Sequence, residues 1–334
     1  MILLKMKKIK KIMVLFMLLL VLFIFACTKN GNKVVIYTSL EDYRIARLQQ
    51  LLNDEFKDFK VVVEYYNTGN HAAKLMAEGI KTECDITINL DYGHMEQLSN
   101  AGILADVSSY KTNEYIDEVN VSNNYIVQER NGCAIAINPD YLSKNNIKEP
   151  KTYNDLLKEE YKGLIAMPNP VTSDTGYGFY KSFVNAWGET KTLNYIKELS
   201  NNIVEFTSSG NAPLNMMKQN EIAIGFGMTA SIVTTINDGY NFKILIFEEG
   251  SPYTFKGQGI IKGKENRKEV KRVFEYLVNT YNRINNTEFF PEQIYKDYLP
   301  IIKNFPTDIK YADMSNNTYE EKEKLLAKWT SVIG

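Results

Sequence analysis

Short apolar runs of strand length alternate with segments of helical period along most of this 334-residue chain, and few folds accommodate that rhythm. "VVIYTS" (34–39) precedes a stretch in which Ile45, Leu48, Leu52 and Phe56 recur at spacings of three and four. "VVVEYY" (61–66), a helix from about Asn70 to Glu78, "DITINL" (85–90) and a helix from about Tyr92 follow. The β-α-β-α-β order predicts a buried, mainly parallel sheet. The pattern restarts at "CAIAINP" (133–139), "GLIAMPNP" (163–170), "IVEFTSSG" (203–210), "EIAIGFG" (221–227) and "FKILIFEEG" (242–250). From about Asn266 the chain reads as mostly helical. An α/β chain of this length is expected to divide into two lobes.

Ligands of such sheets bind beyond the carboxyl ends of the strands, so those ends carry the functional signal. Here five of them share one chemistry: Thr38-Ser39, Asn67 to Asn70 with Gly69, Asn89 to Asp91, Ser173 to Gly176, and Ser208 to Gly210. Any one reads as an ordinary helix cap. Five across both halves read as a ligand site, provided the halves face each other. A helix N-terminus leaves N–H groups unpaired and favours an anion, and the hydroxyls of Ser173, Thr175, Ser208 and Ser209 add donors without fixed charge. Each hydrogen bond to a charged oxygen is worth about 1.5–3 kcal/mol, and a micromolar ligand needs only about 8 kcal/mol net. Four or five such bonds therefore suffice. The stretch "PNPVTSDTGYGFYKSF" (168–183) contains no lysine of the P-loop kind.

Other candidates are weaker. Tyr177, in the first turn after Asp174 and Thr175, is placed to reach a ligand, whereas Tyr180 reads as core. Arg130, just before the strand that opens the second half, either reaches the cleft or pairs with Glu129 at the surface. Glu248 and Glu249 end the last strand of that half, either as acceptors for a ligand or as a solvated turn; Thr229 lies just beyond "EIAIGFG". His71 and His94 stand beside no nucleophile motif, and His71 is expected to face solvent. GxSxG, HExxH and GxxxxGK[ST] are absent from the sequence. No cofactor is expected, and the reading is a binding protein, not an enzyme.

The N-terminus bounds location. Lys5, Lys7, Lys8, Lys10 and Lys11 precede an apolar run from Ile12 to Ala26, too short to span a bilayer comfortably, with the layout of a secretory leader. Ile24-Phe25-Ala26-Cys27 resembles a lipobox, whose cysteine is lipid-modified after cleavage; an uncleaved anchor is the alternative. The whole chain has 39 basic and 40 acidic side chains. Loss of five lysines with the leader leaves it net acidic, against a nucleic-acid partner. Cys84 and Cys133 each border a β-like run and read as two buried thiols or a disulfide; no Cys/His metal spacing is present.

The lipobox together with "VVIYTSLED", "NTGNHAAKLMAEG", "EQLSNAGILADVSSY", "GLIAMPNPVTSDTGYGF" and "FTSSGNAPLNMMKQNEIAIGFG" resembles the type II extracellular solute-binding proteins of ABC importers, in the branch of ferric iron, phosphonate and sugar-phosphate binders. The resemblance runs from about residue 33 to 300. It implies a two-lobed periplasmic-binding-protein type II fold, each lobe a mainly parallel sheet flanked by helices, with crossings near Asn131–Ile137 and Phe247–Phe255. The expected organisation is a leader over 1–26, a tether over 27–33, a first lobe of 34–131 plus about 255–290, and a second of 132–254 plus about 291–334. It further implies a monomer, lipid-anchored on the outer face of the cytoplasmic membrane or in the periplasm, that delivers its ligand to a membrane permease.

Ferric members carry adjacent tyrosines after the strand equivalent to "EIAIGFG"; here that place reads Met228-Thr229-Ala230-Ser231. A small organic anion, an organophosphate or phosphonate, is therefore the first expectation. Its site comprises Thr38, Ser39, Asn67, Gly69, Asn70, Asp91, Arg130, Ser173, Asp174, Thr175, Gly176, Tyr177, Ser208, Ser209, Gly210, Thr229 and Glu249. Ferric iron held by Tyr37, Tyr66, Tyr92 or Tyr177 is the alternative, and a polyamine or thiamine-like ligand the second. Asp174 fits an anion least well, because facing the ligand it repels one.

Overall fold

The computed structural model describes residues 33–119 and 122–333. The leader, Cys27 and the tether up to residue 32 lie outside them. Strands β1 (Lys33–Thr38), β2 (Lys60–Tyr65) and β3 (Ile86–Asp91) are parallel, with helices α1 (Asp42–Glu55), α2 (Thr68–Glu78) and α3 (Tyr92–Asn100) between and after them. Then come β4 (Ile126–Ile137), α4 (Pro139–Lys144), β5 (Ile165–Pro168), α5 (Asp174–Trp187), α6 (Glu189–Leu199) and β6 (Ile203–Thr207). They are followed by α7 (Ala212–Lys218), β7 (Ile224–Met228), α8 (Thr229–Asn237), β8 (Lys243–Leu245) and β9 (Tyr253–Ile260). The chain closes with α9 (Lys268–Tyr276), a π-turn at Leu277–Tyr281, α10 (Asn282–Glu288) and α11 (Tyr319–Ile333).

The strands follow the order β2-β1-β3-β9-β4-β7-β5-β6, with β8 also on β4. The outer groups β2-β1-β3 and β7-β5-β6 are parallel, as the alternating pattern predicts; β9 and β4 run antiparallel to their neighbours and join the two halves. β4 changes partner midway. Gly132 pairs with Tyr253 of β9, whereas Cys133 pairs with Met228 of β7. The return crossing is Ser251-Pro252, tied to β4 by Cys133 N–H to the Pro252 carbonyl (2.7 Å) and by the Ser251 hydroxyl to the Cys133 carbonyl (2.8 Å).

Each half has its own core. Val34, Ile36, Leu48, Leu52, Ile86 and Ile88 pack with Val270, Val273 and Phe274 of α9. Ile135, Met167, Phe179, Phe183 and Phe226 pack with Leu325 and Trp329 of α11. The C-terminal elements thus divide: α9 and α10 return to the first half and α11 to the second. Ile294 and Tyr295 still pack with the first half, Tyr295 stacked on Tyr115, rather than passing to the second at about 291.

Three local expectations need correction. β4 begins at Ile126, so Arg130 lies inside a strand, not before it. Its polar stretch Gln128 to Asn131 is buried on both faces, which erases the apolar alternation that marks a strand in sequence. β8 stops at Leu245, leaving Glu248 and Glu249 in a turn that Gly250 closes at φ 93, against the backbone of Tyr311 and Ala312. Residues 289–318 are almost entirely irregular rather than helical. Cys84 and Cys133 are free and buried.

Candidate functional site

The strand ends of the two halves converge on a cavity of about 620 Å3. Ser39, Asn67 and Gly69 line it from the first half. Ser173, Asp174, Thr175, Ser208, Ser209 and Gly210 line it from the second. In the second half, the loops after β5 and β6 touch. A side chain at Gly210 would begin 2.6 Å from the Thr175 hydroxyl and 3.5 Å from that of Ser173, so only glycine permits this approach. Ser173 caps α5, accepting from Gly176 N–H at 3.5 Å. Gly176 meets a packing need instead: any Cβ there would collide with the Pro168 carbonyl.

In the first half, Asn67 caps α2 by accepting from Asn70 N–H at 2.9 Å, and Ser39 is held by His71 (Oγ–Nδ1 2.9 Å). His71 does not face solvent. It is fully buried, its other ring nitrogen 2.9 Å from the Thr87 hydroxyl. Burial, with a smaller contribution from His94, lowers its pKa to about 3, so the ring is neutral at physiological pH. The apolar Ala72 and Leu75 flank it on the helix face that turns inward.

Two lysines that the sequence reading missed stand at the cavity floor. Lys256 of β9 reaches the Asp174 carboxylate at 2.8 Å, and Lys322 of α11 reaches its other oxygen at 3.1 Å. Lys322 also approaches Asp91 at 3.7 Å, and Asp91 caps α3 while contacting His94 Nδ1 at 2.6 Å. Burial opposes charge on every member, but mutual attraction prevails: Asp91 and Asp174 lie below the usual carboxylate range, and both ammonium groups lie above theirs. The two lysines balance the two aspartates. Each ammonium has three N–H donors, so some remain for a guest after the aspartates are satisfied. Asp174 is thus not the uncompensated charge that its place in the loop suggested.

Arg44 of α1, which also lines this cavity, pairs with buried Glu129 of β4 and with half-buried Glu41 (3.0 Å). Asn89, at φ 65 in the bulge of β3, donates to Glu129 at 2.9 Å. Arg130 points away from Glu129, as successive strand residues do. It lies over the rings of Tyr253, Phe255 and Tyr311, 4.3–4.9 Å from their centroids.

The remaining expected residues fall elsewhere. Asp91 and Tyr177 line an adjoining cavity of about 410 Å3 that shares Asp174 and Lys322. Thr38, Asn70, Arg130, Gly176, Thr229 and Glu249 line neither volume. Thr38 is buried and accepts from Leu40 N–H; Thr229 is buried at the start of α8. The four phenols of the ferric alternative do not gather. Tyr37 packs against Tyr66 with rings tilted (centroids 4.8 Å), Tyr92 donates to the Val119 carbonyl and Tyr177 to Asn317 (both 2.9 Å), and none lines the larger cavity. Among the described residues no group of three or more His, Cys, Asp or Glu could hold a metal ion.

A family model described as bacterial extracellular solute-binding protein matches residues 49–318. The chain belongs to this family. A curated Haemophilus influenzae protein, described as uncharacterized, is 22% identical over 323 residues, spanning 90% of this chain and 91% of its own. Among solved structures, the periplasmic binding protein AfuA from Actinobacillus pleuropneumoniae, with exogenous fructose-6-phosphate bound, superposes with a TM-score of 0.77 at 22% identity, covering 91% of this chain and 99% of AfuA. Iron-bound HitA from Pseudomonas aeruginosa gives 0.76 at 14%, covering 89% and 99%. These likenesses establish the two-lobed periplasmic-binding-protein fold. The solute-binding protein is thus an exported receptor of the importer class, whose relatives bind ligands for transport.

Proposed function

We propose that this solute-binding protein captures a small organic anion, an organophosphate or phosphonate, between its halves and delivers it to an ABC permease. It acts as a monomer, held at the membrane by lipid on Cys27. One observation carries the choice of ligand. The hydroxyl loops at Ser173–Thr175 and Ser208–Gly210 meet at the N-terminus of α5, beside the ammonium groups of Lys256 and Lys322. Neutral donors, a helix terminus and partly satisfied cations all favour an oxyanion.

The same lysines disfavour a polyamine or thiamine-like guest, which would meet like charge at the cavity floor. Ferric capture is disfavoured because none of the four tyrosines lines the larger cavity, and burial raises the pKa of Tyr37, Tyr92 and Tyr177 away from the phenolates iron requires. The AfuA structure, with its bound sugar phosphate, shares the fold and supports the reading by analogy. Closure of the halves over the anion would present one surface to the permease.

Calorimetry on the double variant Ser173→Ala with Thr175→Ala tests the proposal. Loss of two charge-assisted bonds should weaken phosphate-ester binding by at least about tenfold, while folding stability falls by no more than the loss of the Ser173 helix cap, about 1 kcal/mol. Unchanged affinity would remove the site from consideration.

A further inference from the structure

Strands β1, β2 and β3 are parallel, so the topology that brings their carboxyl ends to the cleft gathers their amino ends at the opposite rim of the first half. Lys33 opens β1 directly beside Lys60, which opens β2. β9 runs antiparallel to β3 and ends at the same rim, followed by Lys262, Lys264 and Arg267 before α9 begins at Lys268. Hydrogen bonds tie these pieces together. Arg267 donates to the Lys33 carbonyl and to Asp85 (both 2.6 Å), and Ile261 N–H to the Asp85 carbonyl at 3.0 Å. With six residues in β1, the rim lies about 20 Å from the cleft end of that strand.

This rim carries more positive charge than it pairs. Buried Asp85 is shared by Arg267 (2.6 Å) and Lys264 (3.8 Å), Glu83 meets Lys33 (3.9 Å), and Asp58 meets Arg272 of α9 (2.6 Å). Glu265 accepts from Gly263 N–H at 2.5 Å, and Glu269 is half-buried on α9. Lys60, Lys262, Lys268 and Lys271 are exposed and form no ion pair among the described residues. Eight cations thus face five carboxylates, whereas the chain without its leader is net acidic. Flanking groups do not reverse the balance: Lys57 pairs with Asp54 (3.4 Å), and Lys81 offsets Glu55. None of the eight cations lines either cavity described above, so the rim suits an extended charged plane better than one small anion.

The chain's path supplies that plane. Six residues, Cys27 to Asn32, precede Lys33, a span of at most about 20 Å, and Lys29 among them adds one more positive charge. A lipid on Cys27 therefore keeps the rim close to the bilayer, and anionic headgroups attract basic side chains that come within a Debye length, about 8 Å. We propose that the basic rim rests on the anionic lipid surface, a second contact that turns the cleft away from the membrane. The proposal rests on the Cys27 reading and goes beyond it: the lipid sets where the receptor is held, and the rim sets which way it faces.

Vesicle co-sedimentation of the full mature chain carrying Cys27→Ser, which removes the lipid, tests this. At low salt, vesicles of phosphatidylcholine with about 30% phosphatidylglycerol should bind it about tenfold or more tighter than phosphatidylcholine alone, and about 0.5 M salt should remove the difference. Lys60→Gln, Lys262→Gln, Lys268→Gln and Lys271→Gln combined should abolish the preference. The same loss of charge on the second half, at exposed Lys144, Lys148, Lys151 and Lys197, should leave it intact. No preference for the anionic vesicles, or equal loss in the two quadruple variants, would overturn the proposal. The mass of the wild-type chain extracted from membranes reads the lipid separately. An unmodified Cys27 with the preference intact would refute the lipid reading and leave the rim as a membrane contact in its own right.

Discussion

Asp174 offers one carboxylate oxygen to Lys256 and the other to Lys322, and so occupies two cations that would otherwise face the cleft alone. Replacing it by Asn leaves Asp91 as the remaining carboxylate partner of Lys322 and removes the direct partner of Lys256. Folding should lose about 1–3 kcal/mol, less than for a fully buried pair, because the Asp174 side chain keeps some contact with solvent. Added phosphate should then restore more of the melting temperature in Asp174→Asn than in the wild type, since the anion replaces the missing charge. An equal rise in both proteins would show that the lysines do not sense the ligand. Neither lysine was legible in the sequence. Lys256 sits in "YTFKGQGI", where one charge in a strand reads as solvent-facing, and Lys322 in "EEKEKLLAKW", which reads as a solvated helix. Their partners are distant in the chain, and only tertiary structure brings them together. His71 misled for a related reason: a polar residue in a first helical turn suggests exposure, yet Ser39 and Thr87 satisfy both ring nitrogens inside the protein.

The strand-end loops, by contrast, were readable, because small hydroxyl residues and glycine at the end of an apolar run have a local physical purpose. Nine of the expected residues line the larger cavity, and some of those outside it have local reasons. Thr38 and Gly176 serve the turn itself, and Arg130 lies in a strand whose polar centre disguised it. The joint between the β5 and β6 loops depends on Gly210. Gly210→Ala should push Thr175 aside and weaken anion binding by about tenfold while the melting temperature stays close to that of the wild type; unchanged binding would mean the loops need not touch. The strand crossing carries a different device. Glu292 accepts from Gly132 N–H at 2.7 Å, its second oxygen is buried without a partner, and burial raises its pKa to about 8. Arg130 lowers that value and Glu129 raises it, both from β4, while the Gly132 bond favours ionisation. The folded value lies above the unfolded one, near 4.5, so the protonated acid stabilises the fold at low pH and this contribution is lost as pH rises towards about 8. Glu292→Gln keeps an acceptor for Gly132 and cannot ionise. Its denaturation midpoint should therefore gain on the wild type between about pH 5 and pH 8. A constant difference across that range would show that Glu292 does not titrate there.

At the scale of the molecule, the alternating pattern and its restart after residue 133 announced two α/β halves, and the family likeness supplied their connection by two crossing strands. What stayed hidden was the contribution of the C-terminal helix. α11 anchors in the second half through Leu325 and Trp329, and its first turns reach the first half, where Tyr319 lies 6.1 Å from His94 and Lys322 approaches Asp91. A charged helix at a chain end gives no sequence sign of completing a cleft. On the proposed reading, the resulting site, assembled from both halves and closed by the last helix, serves an oxyanion. Native mass spectrometry of the purified protein, with phosphorus NMR on whatever acid releases, measures that most directly. The predicted result is a non-covalent, phosphorus-containing guest that added phosphate ester displaces; a retained ferric ion or organic cation with no phosphorus would contradict it.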